Sequence, residues 1–257
     1  MPTIAIDGAD LEYRLIPGGA EKPWLVFLHE GLGSVSLWRD FPDKVARRIG
    51  ARALVYSRRG YGQSSALDGP RRPDFMHHEA LVVLPALRAA LGLENPVLIG
   101  HSDGASIALI HSADPRFAVA SLVLMAPHVF VEAITVSSIA RVTETYETTD
   151  LRPRLARHHA HVDDAFLGWS RIWLSPTFRS RSLGEQVARL AVPTLAIQGA
   201  DDEYGTLAQI DAISGTAPGP VTRLVLEKCG HSPQRDREAD VIDAIVRHLA
   251  LARPVKS

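Results

Sequence analysis

The sequence predicts an α/β fold: a mostly parallel sheet of eight strands with helices on both faces. Three observations carry this. Short continuous apolar runs such as Trp24-Leu25-Val26-Phe27-Leu28 recur along the chain, and such runs mark strands buried on both faces. Stretches with apolar residues at helical spacing separate them, and strand, helix, strand at this rhythm calls for a parallel sheet covered on both sides. One stretch, Pro96 to Ala108, holds the whole unit: an apolar run, a short glycine-bearing turn, then small and apolar residues at helical spacing.

Thr3–Ile6 and Leu11–Ile16 alternate as two strands joined by the turn Asp7–Asp10, and Pro17-Gly18-Gly19 ends the second. Trp24–Leu28 is the third strand and runs into the loop His29-Glu30-Gly31-Leu32-Gly33-Ser34. Leu37, Phe41, Val45 and Ile49 then form a helix face. Ala53–Tyr56 is a strand, Ser57–Ser65 a polar loop, and His77–Leu91 a helix that Pro85 should kink. The organising strand from Pro96 and its helix follow, and then the strand Ser121–Met125. From Val129 to Ala191 no buried-strand run appears, which reads as an all-helical insertion within one domain. The rhythm resumes with the strand Val192–Gln198, a helix after Tyr204, the strand Val221–Leu226 and a last helix over Asp236–Leu251.

Composition excludes several function classes. The chain of 257 residues is 46% hydrophobic with 28 basic and 29 acidic residues, so its net charge of −1 gives no electrostatic case for nucleic acid or an anionic membrane. Mean hydropathy of +0.02 is ordinary for a globular protein. No run reaches the roughly 18 apolar residues of a membrane span. Met1 to Gly8 lacks a basic start followed by an apolar stretch, so no signal peptide is read. A single cysteine rules out an intrachain disulfide and suits a reducing compartment; the expected location is cytoplasmic.

The turn within the organising stretch is Gly100-His101-Ser102-Asp103-Gly104, a G-x-S-x-G pattern between a strand and a helix. A serine on so sharp a turn needs neighbours without bulky side chains, and the turn lifts its hydroxyl out of the sheet. The following helix turns its N–H groups toward negative charge developing there. In open α/β sheets chemistry gathers beyond the carboxyl ends of the strands. Those ends carry His29-Glu30-Gly31-Leu32-Gly33, then Ser102, then Gly199-Ala200-Asp201-Asp202-Glu203, then Cys229-Gly230-His231-Ser232-Pro233. A serine, an acid from the 201–203 cluster and a histidine, in that order, are the parts of an activated hydroxyl. The histidine takes the serine proton, and the acid fixes its tautomer.

With these residues the chain resembles the α/β-hydrolases over nearly its whole length. The resemblance rests on Gly100–Gly104, the Gly-x-x-Asp of Gly199 to Asp202, Gly230-His231, and Arg59-Gly60-Tyr61-Gly62-Gln63-Ser64. It implies an α/β-hydrolase fold with Ser102 as nucleophile, His231 as base, Asp202 as acid, and a helical cap at 129–191. It implies an oxyanion hole formed by the N–H of Asp103 and that of Gly31 or Leu32. Two departures stand out. Glu30 replaces the glycine many members carry after the loop histidine; its charge is expected to be met by Arg58 or Arg59, with a substrate contact as the alternative. Ser57 stands where members often have an acid, and Arg59 is expected to tie loops together.

Other residues have plainer readings. Asp103 should favour the helix N-terminus, a contact to a cationic substrate group being the sharper alternative. His158, His159, His161, Asp163 and Asp164 read as a solvated face of the cap turned outward, since no zinc spacing is met. Trp169 and Trp173, with Phe178, read as the cap's apolar underside and as walls of the acyl pocket, with Glu30 also lining it. Cys229 reads as a small buried residue. The expected function is hydrolysis of a small carboxylic ester, or a lactone or thioester, through an acyl-enzyme, with a small-molecule substrate as partner and no metal or organic cofactor. The alternatives are hydrolytic carbon–carbon cleavage of a diketone-like substrate and a non-catalytic binding protein of the same fold.

Overall fold

The structure, a computed structural model, describes residues 1–251. Eight strands among the described residues form one sheet: β1 (Thr3–Ile6), β2 (Ala9–Ile16), β3 (Leu25–Leu28), β4 (Ala53–Tyr56), β5 (Val97–His101), β6 (Ser121–Met125), β7 (Thr194–Gly199) and β8 (Val221–Leu226). Their order is β1-β2-β4-β3-β5-β6-β7-β8. β1 and β2 pair antiparallel, as do β2 and β4, and every pairing from β4 through β3 to β8 is parallel. The connections reverse direction between β3 and β5, which opens a crevice at their carboxyl ends.

Alternation along the strands builds two cores. Val26, Leu28, Leu98, Leu122 and Leu124 face one layer, which includes helix α4 (Asp103–Ser112). Leu25, Phe27, Val97, Ile99, Val123 and Met125 face the other, where α1 (Phe41–Ile49) and α12 (Glu238–Leu251) lie. At about 25 cal/mol per Å² of apolar area, a fully buried leucine or valine contributes about 2 kcal/mol, so the strand runs that predict the sheet also stabilise it.

Proline explains several boundaries that differ from expectation. α1 begins at Phe41 with a proline in its first turn, and Leu37 lies in the preceding turns. β7 begins at Thr194, after Pro193, which has no N–H for the ladder. The helix expected over His77–Leu91 starts at Phe75. It runs as α2 (Phe75–His78), a π-helical turn (Glu79–Val83) and α3 (Leu84–Leu91). Pro85 sits in the first turn of α3, and the wider π turn before it makes room for the ring. The last helix is broken at Arg237 into α11 (Pro233–Asp236) and α12.

Between β6 and β7 the chain forms α5 (Ala133–Thr148), α6 (Leu151–Leu155), α7 (Val162–Leu174), α8 (Pro176–Arg179) and α9 (Gly184–Val187). The insertion is helical except for one isolated antiparallel bridge between Phe130 and Ser182. α5 and α7 meet through Tyr146 stacked on Phe166, with ring centroids 3.8 Å apart. α10 (Ala208–Thr216) follows β7. Among the described residues no helix is long and apolar enough to cross a membrane.

Candidate active site

Ser102 stands alone between β5 and α4 at φ 52, ψ −117, a strained conformation for a residue with a side chain. The flanking glycines are set by close approach. A Cβ on Gly100 would run into Gly104 and Ala105 backbone, and one on Gly104 into the carbonyls of Leu28 and His29. The helix therefore starts against the end of β3, with Ser102 at the rim of the crevice.

Three strand ends meet there. His231 Nε2 lies 2.9 Å from Ser102 Oγ, and its Nδ1 lies 2.9 Å from both carboxylate oxygens of Asp202. The Asp202 side chain is fully buried. Its Oδ1 accepts from the N–H groups of Tyr204 (2.7 Å) and Gly205 (3.2 Å), and its Oδ2 from Gln198 Nε2 (2.6 Å). Burial acts to raise the Asp202 pKa, but the His231 hydrogen bond and charge outweigh it and the net shift is downward. Asp201 is exposed. Glu203 accepts the backbone N–H of His231 at 3.1 Å. The geometry selects Asp202 among the three acids. Cys229 is buried, and burial pushes its thiol up to about 11.

The N–H groups of Gly31, Leu32 and Asp103 donate no hydrogen bond among the described residues, and all three belong to segments beside Ser102. Arg58 fixes the first of these segments by donating to the carbonyl oxygens of His29 and Glu30. This corrects the expected pairing: neither Arg58 nor Arg59 meets the Glu30 carboxylate. Arg59 binds Ala66 O and Asp68 in its own loop, and Glu30 Oε2 lies 3.3 Å from His101 Nδ1. Burial raises the Glu30 pKa, yet the His101 contact prevails and holds it at about 2. Ser57 donates to Glu12 and accepts from the Val35 N–H, a purely structural post.

A cavity of about 100 Å³ opens on Ser102 and His231, walled by Glu30, Gly31 and Leu32 and covered by Trp169 and Trp173. Gly31 lies so close beneath the Trp169 indole that no side chain would fit. His128, Thr135, Ile139 and Tyr204 complete the wall; the sequence reading did not single these out. His128 was signalled, since it follows β6 at another strand end. Burial, then the nearby His231, push its pKa down to about 3, so it is neutral. A larger cavity of about 420 Å³ beside the β1–β2 turn is lined by none of Ser102, Asp202 and His231.

Two contacts of the insertion were not expected. Trp173 Nε1 donates to Asp103 Oδ1 at 3.1 Å, so the residue after Ser102 holds α7 down. The stretch His158 to Asp164 is only in part the outward solvated face expected of it: His161 and Asp163 are exposed, whereas His158, His159 and Asp164 turn toward the strand-end loops. His159 is buried and takes the Gly62 N–H on Nδ1 while donating from Nε2 to Leu32 O, each at 3.0 Å. His158 meets Ser36 Oγ, and Asp164 accepts the Leu67 N–H. These polar groups tether the insertion to the strand-end loops. Among the described residues no group of three His, Cys, Asp or Glu side chains is placed to hold a metal ion.

Residues 23–189 match a family model described as alpha/beta hydrolase fold. The proline iminopeptidase of Lactobacillus helveticus is 36% identical over 108 residues, 42% of this chain and 36% of that protein. The match thus spans about a third of that relative's length. The proline iminopeptidase of Lactobacillus crispatus (strain ST1) is 23% identical over 285 residues, covering 94% of this chain and 95% of that protein. Among solved structures, the enol-lactonase from Burkholderia xenovorans LB400 shares the fold with a TM-score of 0.72 at 20% identity, over 97% of this chain and 100% of that one.

Proposed function

The chain belongs to the α/β hydrolase fold family, and on that premise we propose that it is a serine hydrolase cleaving a small carboxylic ester through an acyl-enzyme. Lactones and thioesters fall within the same chemistry. Ser102 Oγ attacks the carbonyl carbon as His231 Nε2 takes its proton. Asp202 keeps the His231 Nδ1–H in place and stabilises the imidazolium. The oxyanion is received by the N–H of Asp103 and by that of Gly31 or Leu32. His231 then returns the proton to the leaving alcohol, and water deacylates Ser102 by the same steps in reverse. The observation that carries this reading is the unbroken relay at 2.9 Å from Asp202 through His231 to a strained serine beside unengaged N–H groups.

The insertion serves as a cap. Trp169 and Trp173, one turn apart on α7, cover the cavity over Ser102 and limit the acyl group. A space of about 100 Å³ suits a chain of a few carbons. A panel of p-nitrophenyl esters of increasing acyl length tests this: kcat/KM is expected to peak at short chains, of about two to six carbons, and to fall for longer ones, since each extra methylene must find room. The alignment along nearly the full Lactobacillus crispatus proline iminopeptidase favours a second reading, hydrolysis of an N-terminal prolyl amide. Proline β-naphthylamide and a diketone panel belong in the same assay, and turnover of either in preference to every ester would replace the ester reading.

A further inference from the structure

His101, between Gly100 and the nucleophile, is buried and lines no part of the cavity over Ser102. Its Nε2 lies 2.6 Å from the carbonyl oxygen of His231. A carbonyl only accepts, so Nε2 carries a proton. Its Nδ1 lies 3.3 Å from Glu30 Oε2 and 3.0 Å from the side-chain amide of Gln234. An amide's oxygen and nitrogen are alike in shape, and turning this one end for end lets Oε1 accept from Nδ1–H. Both ring nitrogens then face acceptors, which a neutral imidazole, with one donor and one acceptor, cannot satisfy.

We propose that His101 is an imidazolium that pairs with Glu30 and grips the backbone carbonyl of His231, so that Glu30 and His101 are positioning residues joining the oxyanion loop to the loop of the base. The proposal deepens the serine hydrolase reading and rests on it for its kinetic part. Glu30 directly precedes Gly31 and Leu32, whose N–H groups are the candidate oxyanion donors. His231 is thereby held at both backbone groups, its carbonyl by His101 and its N–H by Glu203. The link crosses the nucleophile, so it sets the distance between the groups that must act on one carbonyl. Misplacement by about 1 Å at such a site can cost 100-fold in rate.

Opposing influences act on the His101 charge, and the net effect favours it. Burial disfavours its charge, and the Glu30 carboxylate, with Asp202 beyond it, overcomes this and raises its pKa. The other titratable rings facing it are His231, at 5.2 Å, and His128, which is neutral. Because the folded-state pKa is raised, the charged form is present below that pKa and lost as pH rises through it. The activity profile is then expected to have an alkaline limb that falls as His101 loses its proton.

The test is ¹⁵N NMR of the histidine rings in the full chain, with His101→Asn to assign the signals. At pH 7 both His101 ring nitrogens are expected to be protonated, and in Glu30→Gln the ring is expected to be neutral at that pH. For the favoured ester, Glu30→Gln should lower kcat by about 10- to 100-fold at pH 7 with little change in KM and move the alkaline limb to lower pH, while Glu30→Asp recovers part of the rate. A neutral His101 at pH 7 in the parent, as when the Gln234 amide donates to Nδ1, would overturn the proposal. So would an alkaline limb that Glu30→Gln leaves in place. The NMR result stands even if no ester is cleaved, so failure of the hydrolase reading is distinguishable from failure of this one.

Discussion

At the scale of single residues, Asp202 is separated from its neighbours by what surrounds it. Asp201 points to solvent, Glu203 holds a backbone N–H, and Asp202 alone faces the His231 ring from a fully satisfied, buried position. Asp202→Asn should therefore lower kcat by roughly 10³- to 10⁴-fold through the wrong imidazole tautomer. Asp201→Asn should leave the rate within about twofold, and Glu203→Gln should fall between them, because a neutral amide oxygen still accepts the His231 N–H. Steady-state kinetics on the three purified variants checks the order; a loss in Asp201→Asn equal to that in Asp202→Asn would move the acid. Ser102, Asp202 and His231 were legible as candidates because each sits at a strand end within a local pattern. His101 and His159 were not, since their partners lie far along the chain: His231 and Leu32 are 130 and 127 residues away. Spacing says nothing about such contacts. The same blindness assigned Glu30 to the arginines rather than to His101.

At the scale of elements, α7 joins the insertion to the crevice. Its buried residues Ala165, Phe166, Trp169, Ile172 and Trp173 fall on one face, as the aromatic spacing predicts. What the spacing could not give is the polar fastening at both ends of this region, by Trp173 to Asp103 and by His159 to Leu32 and Gly62. The two devices should separate experimentally. Trp169→Ala removes the wall over Gly31 and should raise the ratio of kcat/KM for long over short acyl esters by about 10-fold or more. His159→Ala leaves a buried carbonyl and a buried N–H unpaired and should cost about 1–3 kcal/mol of stability, read as a lowered Tm. An unchanged acyl profile in Trp169→Ala would assign specificity to the strand-end loops. An unchanged Tm in His159→Ala would mean the tether carries no stability.

At the scale of the whole molecule, the order of strands was only partly in the sequence. The apolar runs and their rhythm specify a parallel sheet with helices on both faces, because burial on two sides leaves no room for polar alternation. The exchange of β3 and β4 in the sheet, and the reversal that opens the crevice between β3 and β5, depend on crossovers that no local pattern encodes. Yet that topology brings together Ser102, Asp202 and His231, which lie on three separate strand ends. On the proposed mechanism, reactivity of Ser102 is thus a property of the folded sheet and not of the G-x-S-x-G segment. The most direct measurement is labelling of the native and the urea-unfolded protein with a fluorophosphonate probe, followed by peptide mapping. The native chain should carry the label at Ser102 alone, and the unfolded chain and folded Ser102→Ala should carry none. Native labelling at another serine, or undiminished labelling of Ser102→Ala, would contradict the assignment of the site.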